Sequence, residues 1–207
     1  MSNLDLKKDL KHLYAPSSKQ VGVVEVPAMH YLVVDGAGNP NRAPRYQQAI
    51  EALYPLAYGV RAICKAQDRP FTVMPLEGLW WFDGQPIEDF NLTEADKDRF
   101  VWSLMILMPD FVNVEMVAQA RQTLAAKKDA PTLLDELRYA AYDEGDAVQI
   151  MHIGPYADEG PTVAKLHRYI EEQGWALRGK HHEIYLSDPR KVAPEKMRTV
   201  IRQPFSR

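Results

Sequence analysis

One succession of elements occurs twice in this 207-residue chain. The hydrophobic patterns predict a strand, a helix and two further strands in residues 21–110, and this order returns in residues 137–207. Residues that end the elements also recur, with Gly36 matching Gly154, Asp83 matching Asp188 and Pro109 matching Pro204. The repeat indicates an old duplication. It predicts two βαββ halves related by a pseudo-twofold axis.

The first half has expected strands at Met29–Gly36, Phe71–Phe82 (interrupted by Pro75) and Phe100–Met108, with a helix from Ala43 to about Cys64. The second half has expected strands at Ala147–Ile153, His181–Leu186 and Met197–Gln203, with a helix at Gly160–Gln173. A helix at about 112–128 and a strand at Leu137–Tyr142 connect them, and a short edge strand is expected at Val21–Val26. We therefore expect an α+β domain over 21–207, preceded by a partly helical N-terminal arm (1–20). Its antiparallel sheet should carry the helices on one side, with a ligand cleft at the axis.

Composition argues against several classes of partner. The net charge is −3, and the basic residues form no clustered face of the kind that binds nucleic acid. No apolar run approaches the roughly 20 residues of a membrane span. The first residues lack a charged segment followed by an apolar one, so we expect no signal peptide. Because the single cysteine, Cys64, cannot form an internal disulfide, we expect a cytoplasmic protein.

The sequence predicts neither a cofactor nor a metal. The glycine-rich loop at Gly36–Pro40 lacks the Lys-Ser/Thr pair of a phosphate-binding loop and the spacing of a dinucleotide-binding loop. His181 and His182 are adjacent, so on a strand they point to opposite faces, and the other histidines lack ligand spacing. No Gly-x-Ser-x-Gly motif of a serine hydrolase is present.

Three longer motifs resemble the GyrI-like small-molecule-binding family. They are Pro75–Trp81 (PLEGLWW), His152–Tyr156 (HIGPY) and His181–Pro189 (HHEIYLSDP), and the similarity covers nearly the whole chain. The resemblance implies a pair of βαββ halves around a central cleft that binds xenobiotics. It is greatest to a stand-alone subfamily, some members of which hydrolyse the strained cyclopropane of DNA-alkylating natural products with an aromatic cage and a carboxylate.

Alternation along the His181–Leu186 strand places His181, Glu183 and Tyr185 on one face. Ile184 and Leu186 are expected to pack on the helices, so that Glu183 and Tyr185 face the cleft. Glu183 and Tyr185 are therefore the candidate catalytic residues, with Glu183 as the base for water. From the residues alone, a surface carboxylate on an edge strand or one paired to an arginine is favoured for Glu183, and the resemblance shifts the expectation to the cleft.

The candidate ligand-binding aromatic residues depend on how the two halves are aligned. Aligning Asp83 with Asp188 pairs Trp80 with Tyr185, whereas aligning the glutamates places Trp81 on the face of Glu77; we prefer the first. A one-residue slip would exchange the two faces of the strand. The remaining candidates are Trp102, Tyr54, Tyr58 and Tyr156, and each is also compatible with a packing role.

Together the residues and the resemblance predict a protein that binds flat aromatic small molecules and hydrolyses cyclopropane-bearing DNA alkylators. Two alternatives stay open. One is sequestration of xenobiotics without turnover, and the other is a protein-interaction (gyrase-inhibitor-like) role. The sequence carries no signal for the oligomeric state.

Overall fold

The structure is a computed structural model, which describes residues 3–82 and 94–207. Within these ranges it has nine strands and six helices, which confirms the α+β class. The strands are β1 (Gly22–Val26), β2 (Met29–Ala37), β3 (Leu76–Phe82), β4 (Phe100–Leu107), β5 (Arg138–Tyr142), β6 (Gly145–Ile153), β7 (Ala176–Leu177), β8 (His181–Tyr185) and β9 (Arg198–Ser206). The helices are α1 (Leu6–Asp9), α2 (Lys11–Tyr14), α3 (Pro44–Ala66), α4 (Glu94–Lys97), α5 (Val114–Ala125) and α6 (Gly160–Glu172).

The sheet is antiparallel and symmetric about its middle. Its order is β1-β6-β9-β8-β3-β4-β2-β5, with β7 beside β9, so each half contributes three consecutive strands and β3 meets β8 at the centre. Gly78 of β3 lies directly opposite Glu183 of β8, and the pairing is symmetric about this pair. The expected pseudo-twofold axis therefore passes through Gly78 and Glu183.

The strand register corrects two of the matches made between the halves. Counted through β4 and β9, Gly154 corresponds to Gly38 rather than Gly36, and Pro204 corresponds to Leu107 rather than Pro109. Gly38 and Gly154 both adopt positive φ (94° and 143°) at the ends of β2 and β6, where glycine is favoured. Gly36 lies inside β2, where glycine is required for a different reason. The Trp102 ring occupies the space that a side chain at position 36 would fill. The matched Asp83 lies outside the described residues.

The strands at the ends of the sheet form one continuous ribbon. β1 runs into β2 across Pro27–Ala28, and β5 runs into β6 across Asp143–Glu144. The two long strands pair antiparallel in a single register, from Gly22 opposite Gln149 to Val33 opposite Arg138. The ribbon therefore joins the two ends of the sheet, and Glu144 lies at one of its bends.

The two long helices of the repeat lie on the same side of the sheet, as expected, and we call this side the helix face. Helix α3 packs on β2 and β4, and α6 packs on β6 and β9, so the central strands β3 and β8 lie between them. Helix α3 continues through Pro55 and buries residues three or four apart, namely Ala49, Leu53, Leu56 and Val60. This arrangement leaves the helix face of β3 and β8 available for a cleft.

The opposite side, which we call the arm face, is covered by the N-terminal arm. Leu13 and Tyr14 of α2 are buried there. Ile184 is fully buried on the arm face, opposite Glu77, so the expectation that it packs on the helices is wrong. The helices cover the outer strands of the sheet, so the apolar side chain of Ile184 on the central strand β8 packs beneath the N-terminal arm instead. Within the described ranges, no helix is both long and apolar enough to cross a membrane.

Candidate functional site

The floor of the cleft is formed by β3 and β8 at the pseudo-twofold axis. Trp80 and Tyr185 each lie two residues beyond the central pair of Gly78 and Glu183, so both point to the helix face. The indole Nε1 of Trp80 donates a hydrogen bond of 3.1 Å to Tyr185 Oη. The register thus agrees with the alignment that pairs Trp80 with Tyr185.

Gly78 makes this contact sterically possible. A Cβ atom at position 78 would lie 2.7 Å from Trp80 Nε1 and 2.9 Å from Tyr185 Oη. Such distances are too short for carbon against either atom. The glycine therefore allows the indole and the phenol to meet over the axis, beside Glu183.

The Glu183 carboxylate is held by hydrogen bonds to both of its oxygens. Tyr185 Oη donates to Oε2 at 2.7 Å, and His181 Nε2 lies 3.2 Å from Oε1. Because a carboxylate oxygen only accepts, His181 donates in this contact. The Glu183 side chain is 14% exposed. Trp80, Tyr185 and Glu183 thus form a chain in which each donor faces the next acceptor.

A second carboxyl group, that of Glu159, lies against the first. Glu159 directly precedes α6, is 6% exposed, and its carboxyl group interacts with the Glu183 carboxylate and with the neighbouring Thr199 hydroxyl. Its Oε1 and the hydroxyl of Thr199 have no hydrogen-bond partner among the described residues. Burial and then the charge of Glu183 raise the pKa of the Glu159 carboxyl well above its usual value.

Aromatic rings enclose these carboxyl groups. Tyr46 of α3 lies 6.0 Å from Trp80, Phe100 lies 5.3 Å from Trp80, and Tyr156 lies 5.5 Å from Tyr185, measured between ring centroids. Burial, together with Glu159 and Glu183, raises the pKa of Tyr156 to about 12. The phenol therefore stays protonated at neutral pH and can donate a hydrogen bond.

The remaining predicted site residues take different places. Trp102 is fully buried behind Tyr46, with its Nε1 donating to Gly38 O at 3.2 Å. Tyr54 is partly buried on α3, whereas Tyr58 is 56% exposed. Trp81 points to the arm face, where Lys180 Nζ lies 3.5 Å from its ring centroid. The structure thus brings Glu183, Tyr185, Trp80 and Tyr156 together and places Trp81 outside the group.

Sequence reasoning did not single out Tyr46, Glu159 or the contact made by His181. The His181 contact has a sequence signal, since His181 shares a strand face with Glu183. Tyr46 and Glu159 have none, because each reaches the cleft from another element. A glutamate just before a helix is ordinarily expected to be solvated near the helix N-terminus.

Comparison with known proteins assigns the chain to a family. The model of the GyrI-like small molecule binding domain matches residues 19–205. The chain belongs to the GyrI-like family. No curated protein sequence matches this GyrI-like chain.

Solved structures agree with the assignment. An uncharacterized conserved protein from Listeria innocua is 36% identical with a TM-score of 0.88, and the match covers 99% of this chain and 100% of that one. A protein from the same organism described as a hydrolase is also 36% identical, with the same coverage and a TM-score of 0.84. The EcmrR C-terminal domain shares only the fold, at 15% identity and a TM-score of 0.56 over 91% of this chain and 98% of that one.

The arm face of the GyrI-like domain carries a buried cluster of charges beneath the cleft floor. His182 Nε2 lies 3.0 Å from Glu77 Oε2, and its Nδ1 lies 2.9 Å from Glu144 Oε1. Arg202 Nη1 donates to Glu144 Oε2 at 2.9 Å, and Tyr14 Oη donates to Glu77 Oε1 at 2.7 Å. These side chains, which we call the arm-face cluster, tie the arm to β3, β8 and β9.

Mutual attraction sets the ionisation of the arm-face cluster. Burial alone would lower the pKa of His182, but Glu144 and Glu77 raise it to about 9. Burial alone would raise the pKa of Glu144, but His182 and Arg202 lower it to about 2. At neutral pH His182 is therefore a cation between two carboxyl groups. In the described part of the chain, no group of three or more His, Cys, Asp or Glu side chains is arranged to hold a metal ion.

Proposed function

We propose that this GyrI-like domain binds flat aromatic small molecules between α3 and α6 and adds water to a strained carbon ring of the ligand. The observation that carries the proposal is the Glu183 carboxylate, held by two donors among aromatic rings on the cleft floor. The description of the 36% identical Listeria innocua protein as a hydrolase supports hydrolysis as the type of reaction.

In the proposed reaction, Glu183 accepts a proton from a water molecule as the water oxygen attacks a carbon of a cyclopropane. The ring C–C bond breaks, and its electron pair moves to a conjugated carbonyl oxygen. Solvent protonates this oxygen, and Glu183 releases its proton to solvent, so that one water molecule is added overall. His181 and Tyr185 hold the carboxylate in place through both of its oxygens. Exclusion of bulk water strengthens the interactions of the base.

The aromatic side chains supply the binding energy. Trp80 is 5% exposed and Tyr156 is 39% exposed, so the ligand enters past Tyr156 and stacks against the deeper rings. A matched pair of variants tests whether the aromatic side chains of the cleft bind the ligand. Trp80→Phe should weaken binding of a flat aromatic ligand several-fold, whereas Trp81→Phe, on the arm face, should leave the Kd unchanged in calorimetric titration. Equal effects of the two variants would contradict the assignment of the cleft.

The reaction is tested with a DNA-alkylating compound whose cyclopropane is conjugated to a carbonyl. We expect the wild-type chain to form the ring-opened alcohol, and Glu183→Gln to lose at least 100-fold in kcat, because a general base typically contributes 10²–10⁴-fold. Glu195→Gln, which alters an exposed carboxylate, is the control. Full activity of a folded Glu183→Gln variant would refute the assignment of the base.

One observation favours binding without turnover as a second candidate. Both oxygens of Glu183 already accept hydrogen bonds, which leaves fewer acceptor sites for a water molecule. Under this candidate the same cage sequesters the ligand. A high-affinity complex that forms no product over several hours, while Trp80→Phe still weakens binding, would support sequestration.

A further inference from the structure

Two carboxyl groups share the cleft, and their surroundings differ. Glu183 accepts hydrogen bonds from Tyr185 and His181, an arrangement suited to a carboxylate anion. Glu159 is as buried as a core residue, and its Oε1 has no partner in the described part of the chain. A buried carboxyl group that faces a second carboxylate and has an unsatisfied oxygen is most stable when it is neutral. The cleft therefore holds a base and an acid side by side.

The groups that face Glu159 come from three elements. They are Glu183 and Tyr185 of β8, Thr199 of β9, and Tyr156 of the short 3-10 helix Tyr156–Asp158. None of these groups is a cation. The raised pKa of the Glu159 carboxyl agrees with this environment. The hydroxyl of Thr199 lies beside the acid and has no hydrogen bond within 3.5 Å among the described residues.

The proximity of the two groups constrains which bond they can break together. When a cyclopropane conjugated to a carbonyl opens, negative charge develops on an oxygen several bonds from the attacked carbon. An acid beside the base is poorly placed to protonate that oxygen. When an epoxide opens, the leaving oxygen is bonded directly to one of the two ring carbons that water can attack. An acid next to the base then lies near the atom that needs its proton.

We propose that Glu159 is a general acid of the cleft and that the site also hydrolyses aryl epoxides to diols. This inference rests on the proposed function, because it uses the same aromatic cage and the same base. The water oxygen forms a bond to an epoxide carbon as Glu183 takes a proton from that water. The C–O bond of the ring breaks, and Glu159 gives its proton to the leaving oxygen. A proton then passes from Glu183 to Glu159, which restores the pair and leaves the net addition of one water molecule.

The test uses the full chain and trans-stilbene oxide, with diol formation followed by chromatography. We expect the wild type to form diol well above the buffer rate. Glu159→Gln should lose at least 100-fold, since a general acid typically contributes 10²–10⁴-fold. Glu159→Asp keeps the acid but shortens it by one methylene, and it should retain an intermediate rate. Glu171→Gln, an exposed carboxylate on α6, should behave as wild type.

Two results would overturn the inference. One is the absence of diol formation by the wild type, and the other is a folded Glu159→Gln variant that keeps the wild-type rate. The same preparation is assayed with the cyclopropane compound. If the wild type opens the cyclopropane but not the epoxide, only the role of Glu159 fails, whereas loss of both reactions also removes the proposed function.

Discussion

The two faces of the central strand pair carry polar groups in opposite states. On the arm face, Glu77 and His182 occupy equivalent positions about the axis, and each is engaged by charged or hydroxyl partners. On the helix face, a few ångströms away through the same backbone, Glu159 is buried with an oxygen that no described residue satisfies. The charged groups on the arm face of this strand pair thus have hydrogen-bonding or ionic partners, whereas the carboxyl groups on the helix face include an oxygen without a partner among the described residues.

The difference separates what stabilises the fold from what is available for chemistry. A buried charge with all its partners is fixed in one geometry, and removal of one partner leaves the others uncompensated. A buried carboxyl oxygen without a partner costs stability, and such a cost is retained where function uses the group. The comparison therefore predicts that substitutions on the two faces have effects of opposite sign on stability.

The largest effect is expected from Arg202→Met on the arm face. Arg202 is 1% exposed and donates to Glu144 Oε2, Gln149 Oε1 and Leu13 O. Removing it takes away one of the two cationic partners of the Glu144 carboxylate and leaves only His182, and loss of one partner from a buried charge network costs about 3–5 kcal/mol. The measurement is the free energy of unfolding from urea titration.

The control for Arg202→Met is Arg198→Met on the same strand, where the side chain is exposed. Its free energy of unfolding should stay within about 0.5 kcal/mol of the wild type. If the two variants had similar stability, the arm-face cluster would not be a principal source of stability.

The second effect is a loss of stability at alkaline pH. The pKa of His182 is raised from 6.5 to about 9 in the folded state, so the stabilisation is fully present below about pH 6.5 and is lost as pH rises through 9. Between pH 6 and pH 9 the loss should be on the order of 3 kcal/mol. The pKa of Glu144 is lowered to about 2, so its contribution is present above about pH 4.5 and is lost as pH falls towards 2.

Urea titrations at several pH values between 5 and 9 measure this loss. His30→Asn, in which an exposed histidine is replaced, should show the same pH dependence as the wild type. A free energy of unfolding that did not change between pH 6 and pH 9 would show that His182 is not held as a cation.

Much of the fold could be predicted because the duplication fixes its symmetry. The repeated order of elements predicted the two βαββ halves, and the spacing to Asp83 and Asp188 agrees with the register in which Trp80 meets Tyr185. The place of Ile184 was predicted wrongly. Alternation along a strand tells which residues share a face, but it does not tell which face the helices cover.

The site could be predicted only as far as it lies on one strand. Glu183 and Tyr185 lie two residues apart on β8, and this spacing brings them to one face. Glu159 and Tyr46 reach the same cleft from the start of α6 and from α3, and their approach depends on packing over long sequence separations. Nothing in the local pattern around Glu159 distinguishes a buried acid from a solvated one.

The smallest predicted change in the free energy of unfolding is on the helix face. It is an increase, whereas the changes predicted for the arm face are decreases. Glu159→Gln should raise the free energy of unfolding by about 1 kcal/mol at pH 7, because the carboxyl group is buried beside the Glu183 carboxylate and its Oε1 has no partner among the described residues. Since the folded-state pKa of Glu159 is raised, the wild type loses stability as pH rises above the unfolded value of about 4.5, and the variant lacks this loss. The gain should therefore grow from pH 4 to pH 7 in urea titration, while Glu171→Gln shows none. A loss of stability in Glu159→Gln would place Glu159 with the arm-face cluster as a structural group, because a side chain whose removal destabilises the fold is already satisfied by partners within it.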